Sequence, residues 1–381
     1  MFDSSAMSVY NRDSAEPTET QARMVMEAGY LLNNRYKLLQ GIGMGPLTIV
    51  YEAHDTALDR LVAVKVLRLE YTVQREVAHR FLQEGQRIAE LSHPNLTAVY
   101  EVSNDGETPY LVTEYLPAGS LRDRLDRNGT LTVDRALDIA TAIAAGVGAF
   151  HAQDILHGDL KPQNVLFTEQ EIAKVTDGGM GRVLATALKG EAAPLREPAA
   201  YLTPEEVAGR SLTPASDVYA IGLTFYEMLA GRPPFLAKTP SETALMHLRQ
   251  EAPPIQEHNP RVPTPLARII QKTMAKDLGA RYTSAQQLHQ ILFSYQRQRA
   301  GLNRRATPAV FAMPQAERPE EPLEPALAGP HHTLPNGGDE EYTEEGVDWL
   351  LIFLGLLVVL AVLGVVILWN IVYHRYTTPL G

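Results

Sequence analysis

The stretch that decides the fold reads His157-Gly158-Asp159-Leu160-Lys161-Pro162-Gln163-Asn164, and Asp177-Gly178-Gly179 follows after a predicted pair of short strands. A loop that contains Asp, Lys and Asn is common in polar turns, so its composition alone says little. The spacing is more informative, since Asp159 lies five residues before Asn164 and Asn164 lies thirteen residues before Asp177. Carboxylate and amide oxygens are hard ligands of the kind that Mg²⁺ accepts.

This spacing resembles the catalytic loop and the metal-binding segment of bacterial eukaryotic-like (Hanks-type) Ser/Thr protein kinases. The string Lys161-Pro162-Gln163-Asn164 is similar to the Ser/Thr branch of that family rather than to its tyrosine branch. The resemblance implies that Asp159 accepts the proton of a substrate hydroxyl and that Lys161 offsets charge on the transferred phosphate. It also implies that Asn164 and Asp177 hold Mg²⁺ (or Mn²⁺) beside ATP.

Composition sets the limits within which this resemblance is read. The chain has 381 residues and 45% hydrophobic content, enough for one large or two ordinary domains with a sizeable core. Its formal net charge of -11 argues against a general nucleic-acid binder, because phosphate contacts need a basic face. The chain has no cysteines, which excludes a disulfide framework, a thiolate zinc site and a thiol nucleophile.

A glycine-containing loop between two predicted strands is the first candidate for a nucleotide contact. Gly43 and Gly45 leave the backbone bare for phosphates, although a plain β-turn is an equally good interpretation of two glycines. The run Val62-Ala63-Val64-Lys65, whose lysine lies fifteen residues after Val50, is similar to the Val-Ala-Ile-Lys of the kinase family. The resemblance therefore assigns Gly43, Gly45, Val50 and Lys65 to the ATP site.

Lys65 and Glu84 are two charges on two apolar surfaces. Lys65 alternates with apolar residues along a predicted strand, where it either extends to solvent or needs an anionic partner. Glu84 lies on the apolar face of a helix predicted from about Val73 to Leu91. An ordinary edge position is one interpretation of Glu84. The nineteen-residue separation instead matches the family's lysine–glutamate ion pair, which would hold Lys65 against the α- and β-phosphates.

The segment after the next strands resembles the hinge between the two lobes of a kinase. By this resemblance the backbone of Glu114 and Leu116 would hydrogen-bond adenine, with Thr113 at the back of the pocket. A buried strand end is the alternative interpretation of these residues. The resemblance also assigns ATP contacts to Ala63 and Leu166.

Two departures from the family pattern bear on regulation. The family's His-Arg-Asp is His157-Gly158-Asp159 here, and without that arginine there is no obvious acceptor for a phosphate on the activation segment. Between Asp177 and Glu197 the only Ser or Thr is Thr186. We therefore expect switching by phosphorylation of this segment to be weak or absent.

The variant Thr186→Ala should therefore keep most of the phosphate-transfer activity. Loss of most of that activity in the variant would contradict this expectation.

Two further departures bear on activity. Gly178 stands where the family has the Phe of Asp-Phe-Gly, which should leave a gap in an apolar stack that includes Ile88, Val99 and His157, at a cost that depends on whether a neighbour fills it. Pro198 stands where Ser/Thr kinases carry a threonine that hydrogen-bonds the catalytic Asp and Lys, and proline cannot donate such a bond.

Two positions in the second half of the chain match bracing residues of the family. Asp217 lies twelve residues after Glu205, the spacing of the residue that supports the catalytic-loop backbone. A favourable charge at a helix N-terminus is the simpler interpretation of Asp217, and both roles are compatible. Arg281 matches the family partner of Glu205, with an exposed arginine as the alternative.

These motifs predict a protein kinase domain at residues 34–298. Residues 1–33 are polar without a sustained period, so we expect a disordered N-terminal arm. Residues 299–347 are rich in Pro and Glu and poor in apolar residues, which predicts a disordered linker.

A transmembrane helix is predicted at residues 348–372. The twenty-one residues from Trp349 to Trp369 carry no charge, and Trp at both ends suits the two bilayer interfaces. A buried core helix is the alternative. A short tail, 373–381, completes the chain, so we expect a tail anchor without an external sensor domain. Arg375 favours an inside C-terminus, but a kinase needs cytoplasmic ATP, so we expect a single-pass cell-membrane protein with its kinase domain in the cytoplasm.

The sequence thus predicts an α+β, two-lobed protein-kinase fold with a small β-rich N-lobe, a large helical C-lobe and one transmembrane helix. The implied function is transfer of the ATP γ-phosphate to Ser or Thr of protein substrates, with autophosphorylation and dimerisation left open. The alternative is a weak or inactive pseudokinase that binds nucleotide and acts as a membrane scaffold, which Gly178 and Pro198 favour. No nucleic-acid partner is expected.

Overall fold

The computed structural model of the chain describes residues 26–187 and 198–306. These residues form a β-rich lobe followed by a helical lobe, in agreement with the sequence-based prediction. The sheet of the first lobe has six antiparallel strands in the spatial order β1-β2-β3-β4-β6-β5. Their bounds are β1 Leu31–Leu32, β2 Tyr36–Met44, β3 Thr48–Asp55, β4 Arg60–Leu67, β5 Val99–Asp105 and β6 Thr108–Glu114.

Strand β4 lies between β3 and β6 and is buried on both faces, as its continuous apolar run predicts. Val62, Val64 and Val66 belong to the apolar core on one face of this sheet. Ala63 and Lys65 alternate with these valines and therefore face the opposite side. The sheet itself thus carries Lys65 into the interior, where its side chain is only 7% exposed.

Two helices follow β4, α1 (Leu69–Thr72) and α2 (Arg75–Ala89). Helix α2 buries Phe81, Glu84 and Ile88, so the carboxylate lies on the apolar face as its spacing predicts. The helix approaches the sheet closely at Gly85, where an added Cβ would lie 2.5 Å from Leu111 Cδ2. This glycine therefore sets the distance between α2 and the strand that leads to the hinge.

The second lobe consists of helices around a large apolar core, with one short hairpin. The helices are α3 Leu121–Asn128, α4 Val133–His151, α5 Met180–Ala187, α6 Pro204–Val207, α7 Pro214–Ala230, α8 Pro240–Arg249, α9 Ile255–His258, α10 Thr264–Thr273 and α11 Ala285–Ala306. The hairpin is β7 Val165–Phe167 with β8 Ala173–Val175, and 3₁₀ turns occupy Pro162–Asn164, Ala199–Tyr201 and Leu278–Ala280. Helices α4 and α7 lie at the centre, where 11 of the 19 residues of α4 and 15 of the 17 residues of α7 are buried.

Two boundaries differ from the sequence-based expectations. Residues 26–33, expected in a flexible arm, join the sheet because Leu32 is fully buried and the Met26 N–H donates to the Tyr51 hydroxyl at 2.9 Å. Helix α11 runs to Ala306, past the predicted domain end at residue 298. Within the described ranges no helix is both long and apolar enough to cross a membrane. The predicted span, 348–372, lies outside those ranges, as do residues 1–25 and 307–347.

The predicted ion pair between Glu205 and Arg281 is present in the core of the helical lobe. Arg281 donates from Nη2 to Glu205 Oε1 at 2.9 Å and from Nη1 to Oε2 at 3.1 Å. Its side chain is fully buried and that of Glu205 is 4% exposed. Arg281 also donates to the backbone carbonyls of Ala215, Ala275 and Lys276, so it joins α6 and the start of α7 to the segment that follows α10.

His247 is a buried residue of helix α8 and lies between α7 and the segment that follows α10. Lys276 Nζ donates to the Tyr219 hydroxyl at 3.2 Å, and that hydroxyl lies 3.0 Å from Nδ1 of His247, to which it can donate in turn. His247 is fully buried. Burial, together with the positive charge of Lys276, lowers the pKa of His247 from 6.5 to about 3.

This shift predicts acid sensitivity between pH 6.5 and 3. In that window the unfolded chain binds a proton at His247 and the folded chain does not, so stability falls as the pH falls. Between pH 7 and pH 5 this one residue should lower the free energy of unfolding by about 2 kcal/mol. Urea unfolding at both values should show a smaller difference for His247→Asn. The partly buried His258→Asn serves as the control, and an equal slope in all three proteins would contradict the prediction.

Candidate active site

The loop after helix α4 is held by one buried carboxylate. Asp217, at the start of α7, accepts from the backbone N–H of His157 at 2.8 Å and from that of Gly158 at 2.9 Å. His151, the last residue of α4, lies 2.8 Å from the same carboxylate. These contacts keep the Asp217 pKa below its ordinary value despite complete burial. The predicted bracing role of Asp217 is therefore present in the structure.

Asp159 leads a compact polar group at the end of this loop. Its Oδ2 accepts from Lys161 Nζ at 3.0 Å, and its backbone carbonyl accepts from Asn164 Nδ2 at 2.7 Å. The side chain of Asp159 is 13% exposed and that of Lys161 is 9% exposed, so the group faces solvent through a small opening. The 3₁₀ turn Pro162–Asn164 brings Asn164 back to Asp159 across five residues.

The hairpin β7–β8 sets the position of Asn164 relative to Asp177. Val165 pairs with Val175, so the residues just outside this pair also face each other. The Thr176 N–H accordingly donates to the Asn164 carbonyl at 3.0 Å. Asp177 is the next residue, has φ +64°, and keeps a side chain that is 29% exposed. A spacing of thirteen residues in sequence thus becomes proximity across a two-stranded ladder.

Lys65 reaches this group from the first lobe, which the sequence predicts, but with a different partner. Its Nζ donates to Asp177 Oδ1 at 2.5 Å and to Thr176 Oγ1 at 2.9 Å. Glu84 instead accepts from Arg87, one turn further along α2, at 3.0 Å. Among the described residues no ion pair joins Lys65 to Glu84, so the predicted pair is not formed here. Lys65 instead has the Asp177 carboxylate and the neighbouring Thr176 hydroxyl as its partners.

The other predicted ATP contacts share one face of the sheet. Val50 pairs with Lys65 across β3 and β4, and Ala63 pairs with Thr113 across β4 and β6. Cross-strand partners point to the same face, so these side chains lie on the Lys65 side. Leu166 follows on β7, bridged to Ser120 beyond the hinge. The predicted residues on the sheet therefore form one continuous surface.

The loop and the hinge close the two ends of this surface. The turn between β2 and β3 is tied by the Gly45 N–H, which donates to the Thr48 carbonyl at 2.8 Å, and Gly43 pairs with Val50. At the hinge, the Glu114 N–H donates to the Ala98 carbonyl, and the Glu114 carboxylate accepts from Lys174 at 2.7 Å. Within the described residues, the Leu116 N–H has no backbone partner, so it is available to donate to an acceptor atom of adenine.

The gap expected beneath Gly178 is filled. The ring of Phe150, near the end of helix α4, lies directly against the position that a Cβ on Gly178 would take. The motifs of the sequence did not indicate this contact. They also did not indicate Thr176 and Arg87 as the hydrogen-bonding neighbours of Lys65 and Glu84. The only sequence signal was the coincidence of an aromatic residue at one end of α4 with a glycine in the Asp177 segment.

Comparison with known sequences agrees with this geometry. The family model described as a protein kinase domain matches residues 36–293. The chain belongs to the protein kinase family. Its kinase domain is 35% identical over 263 residues to the serine/threonine-protein kinase PrkC of Bacillus subtilis, an alignment that covers 69% of this chain and 41% of PrkC. With the serine/threonine-protein kinase PknB of Mycobacterium tuberculosis it shares 33% identity over 263 residues, which covers 68% of this chain and 42% of PknB.

The chain therefore spans about two fifths of the length of these relatives. Among solved structures, the kinase domain of Mycobacterium tuberculosis PknI matches with a TM-score of 0.57 and 21% identity, over 71% of this chain and 99% of that domain. At this identity the likeness concerns the fold alone. It supports the two-lobed kinase fold that the sequence predicts.

The donor set of this kinase domain fits a divalent cation held together with a nucleotide. The amide nitrogen of Asn164 donates to the Asp159 carbonyl, so its amide oxygen is the atom left to bind a metal ion. Asp177 adds a partly exposed carboxylate. Two hard oxygen donors are the kind of protein contribution that Mg²⁺ takes when phosphates and water complete its shell.

Proposed function

We propose that this chain is a serine/threonine protein kinase that transfers the γ-phosphate of ATP to protein substrates, itself included. The observation that carries the proposal is the convergence of Asp159, Lys161, Asn164 and Asp177 at the mouth of one cleft, with Lys65 arriving from the facing sheet. The relatives named serine/threonine-protein kinases support the class of acceptor. Phosphoryl transfer needs positioning and charge stabilisation more than covalent chemistry, and these side chains supply both.

Each residue has a separate task in this proposal. Asp159 orients the substrate hydroxyl and accepts its proton, while Lys161 stays within 3.0 Å of Asp159 and offsets charge on the phosphate. Asn164 and Asp177 hold Mg²⁺ (or Mn²⁺), which neutralises phosphate charge when bound. The loop at Gly43 and Gly45 covers the phosphates, and the backbone at Glu114 and Leu116 orients adenine.

Lys65 must exchange partners for this arrangement to assemble. Its Nζ lies 2.5 Å from Asp177 Oδ1, on a carboxylate that the proposal assigns to the metal ion. Transfer of Lys65 to Glu84 would free Asp177 and produce the ion pair that the family resemblance implies. We therefore propose that this exchange precedes phosphate transfer. Glu84, which now accepts from Arg87 at 3.0 Å, would exchange its partner at the same time.

The direct test is phosphate transfer from labelled ATP by the full chain with Mg²⁺ or Mn²⁺. A generic basic protein and the chain itself serve as acceptors, and phosphoamino-acid analysis identifies the modified side chain. Label on Ser or Thr that disappears in Lys65→Met would support the proposal. Label on Tyr, or label that persists in that variant, would contradict it.

A nucleotide-binding pseudokinase is the second candidate, and Pro198 favours it. Pro198 caps the 3₁₀ turn Ala199–Tyr201 and has no N–H or hydroxyl to offer Asp159 or Lys161. The two candidates differ in a simple pair of measurements. A chain whose melting temperature rises with ATP and Mg²⁺ but which transfers no phosphate would be the scaffold.

We also propose that residues 348–372 anchor the kinase in the cell membrane with the kinase domain in the cytoplasm. The support is the uncharged stretch from Trp349 to Trp369, long enough to span a bilayer. Membrane fractions of expressing cells should retain the full chain after an alkaline carbonate wash and release it in detergent. Recovery in the carbonate supernatant would overturn the anchor without affecting the kinase proposal.

A further inference from the structure

The segment that carries Asp177 is packed against an aromatic ring supplied by another part of the fold. A Cβ built on Gly178 would lie 2.3 Å from Cζ of Phe150, 2.5 Å from Cε2 and 2.8 Å from Cε1. Cβ atoms do not approach other heavy atoms this closely, so no side chain fits at position 178 while Phe150 occupies this place. The φ angle of Gly178 is not positive, so the space, and not the backbone, requires glycine here.

Phe150 also contacts the catalytic loop. It is 1% exposed, and its ring meets the ring of His157 edge to face, with centroids 6.2 Å apart and planes at 82°. His157 is fully buried, and its Nε2 lies 3.0 Å from the Thr176 carbonyl, one residue before Asp177. Phe150 therefore touches the Asp177 segment directly at Gly178 and a second time through His157.

The base under Phe150 is rigid. Phe150 lies one residue before the end of α4, and His151, the next residue, is held by Asp217 at 2.8 Å. Gly178 and Gly179 follow Asp177 directly, and glycine has the largest backbone freedom of all residues. A ring held against this glycine pair therefore limits the backbone conformations, and with them the positions that the Asp177 carboxylate can take.

We propose that Phe150 is a positioning residue for the metal-binding carboxylate of Asp177. The family resemblance puts an aromatic side chain at position 178 itself. In this chain helix α4 supplies the ring from the opposite side, and the glycine at 178 admits it. The inference rests on the proposed nucleotide and metal site, and it assigns to Phe150 a part in metal affinity that a core residue without this role would not have.

The first variant is Phe150→Leu in the full chain, with Phe235→Leu as the matched control. Phe235 is fully buried in the same lobe and packs against His247 and Lys276, away from the Asp177 segment. The readout is binding of a fluorescent ATP analogue during a Mg²⁺ titration, which requires no phosphate transfer. Supporting residues around metal ligands change metal affinity by 10–100-fold, so Phe150→Leu should raise the half-saturating Mg²⁺ concentration roughly tenfold. Both variants should melt at lower temperature, and Phe235→Leu should keep the wild-type Mg²⁺ dependence.

The second experiment moves the aromatic ring from position 150 on helix α4 to position 178. Gly178→Phe alone clashes with Phe150 and should bind nucleotide poorly, whereas Phe150→Leu combined with Gly178→Phe should restore the half-saturating Mg²⁺ concentration to within about threefold of wild type, because close packing is recovered. Equal Mg²⁺ dependence in Phe150→Leu, Phe235→Leu and wild type would overturn the proposal, as would failure of the folded double variant to recover. Nucleotide binding by the wild type that ignores Mg²⁺ would overturn it too. Normal binding without phosphate transfer would contradict only the proposed kinase activity.

Discussion

Replacing Asp159 with asparagine is expected to lower kcat for phosphate transfer by about 10²–10⁴-fold, the usual contribution of a positioned proton acceptor. Asparagine keeps the size and shape of the side chain but cannot take the hydroxyl proton. It also removes the negative partner of Lys161 Nζ, which lies 3.0 Å from Asp159 Oδ2. Since Asp159 does not contact adenine in the proposed arrangement, the KM for ATP should stay within roughly threefold.

The matched control for this substitution is Asp59→Asn. Asp59 is exposed and lies in a turn of the first lobe with φ +50°, and its carboxylate lies 2.8 Å from Nε2 of His54. Asparagine tolerates that backbone conformation well, so activity and stability should match the wild type. Steady-state kinetics with a Ser-containing peptide would measure both variants. Retention of more than a tenth of wild-type kcat by the Asp159 variant would remove Asp159 from its role as proton acceptor.

Replacing Arg281 with methionine is expected to lower the free energy of unfolding of the kinase domain by about 3–5 kcal/mol, because it leaves a buried carboxylate without its partner. Glu205 would remain at 4% exposure with two oxygens that now accept from Arg281 at 2.9 and 3.1 Å. The substitution also removes donors to three backbone carbonyls. Urea-induced unfolding followed by far-UV circular dichroism would measure the loss.

Two further variants test whether the loss of stability comes from the unpaired buried carboxylate. Combining Arg281→Met with Glu205→Leu removes the stranded charge and should recover part of the loss, since the main cost is an unpaired buried carboxylate. Arg299→Met breaks a pair with Asp134 in which the two side chains are 30% and 69% exposed, and should change stability by at most about 1 kcal/mol. Equal losses for Arg281→Met and Arg299→Met would show that the buried pair does not brace the lobe.

Local sequence was sufficient for the parts of the site that lie on one short stretch of chain. Asp159, Lys161 and Asn164 belong to one loop and turn, and Asp177 follows across a hairpin whose register leaves little choice. The alternation along β4 likewise fixed which face Lys65 would take, and helical spacing put Glu84 on the buried face of α2. Helix α4, Val133–His151, likewise follows the apolar period of its segment.

The partners of these side chains were decided only by the tertiary structure. Lys65 binds Asp177, 112 residues away, rather than Glu84. That choice depends on differences of a few ångströms between segments, which residue types and spacing do not encode. The fit of Phe150 against Gly178 is of the same kind. A missing side chain on one segment is matched by a ring on another, and close packing is a property of the assembled core and not of either stretch alone.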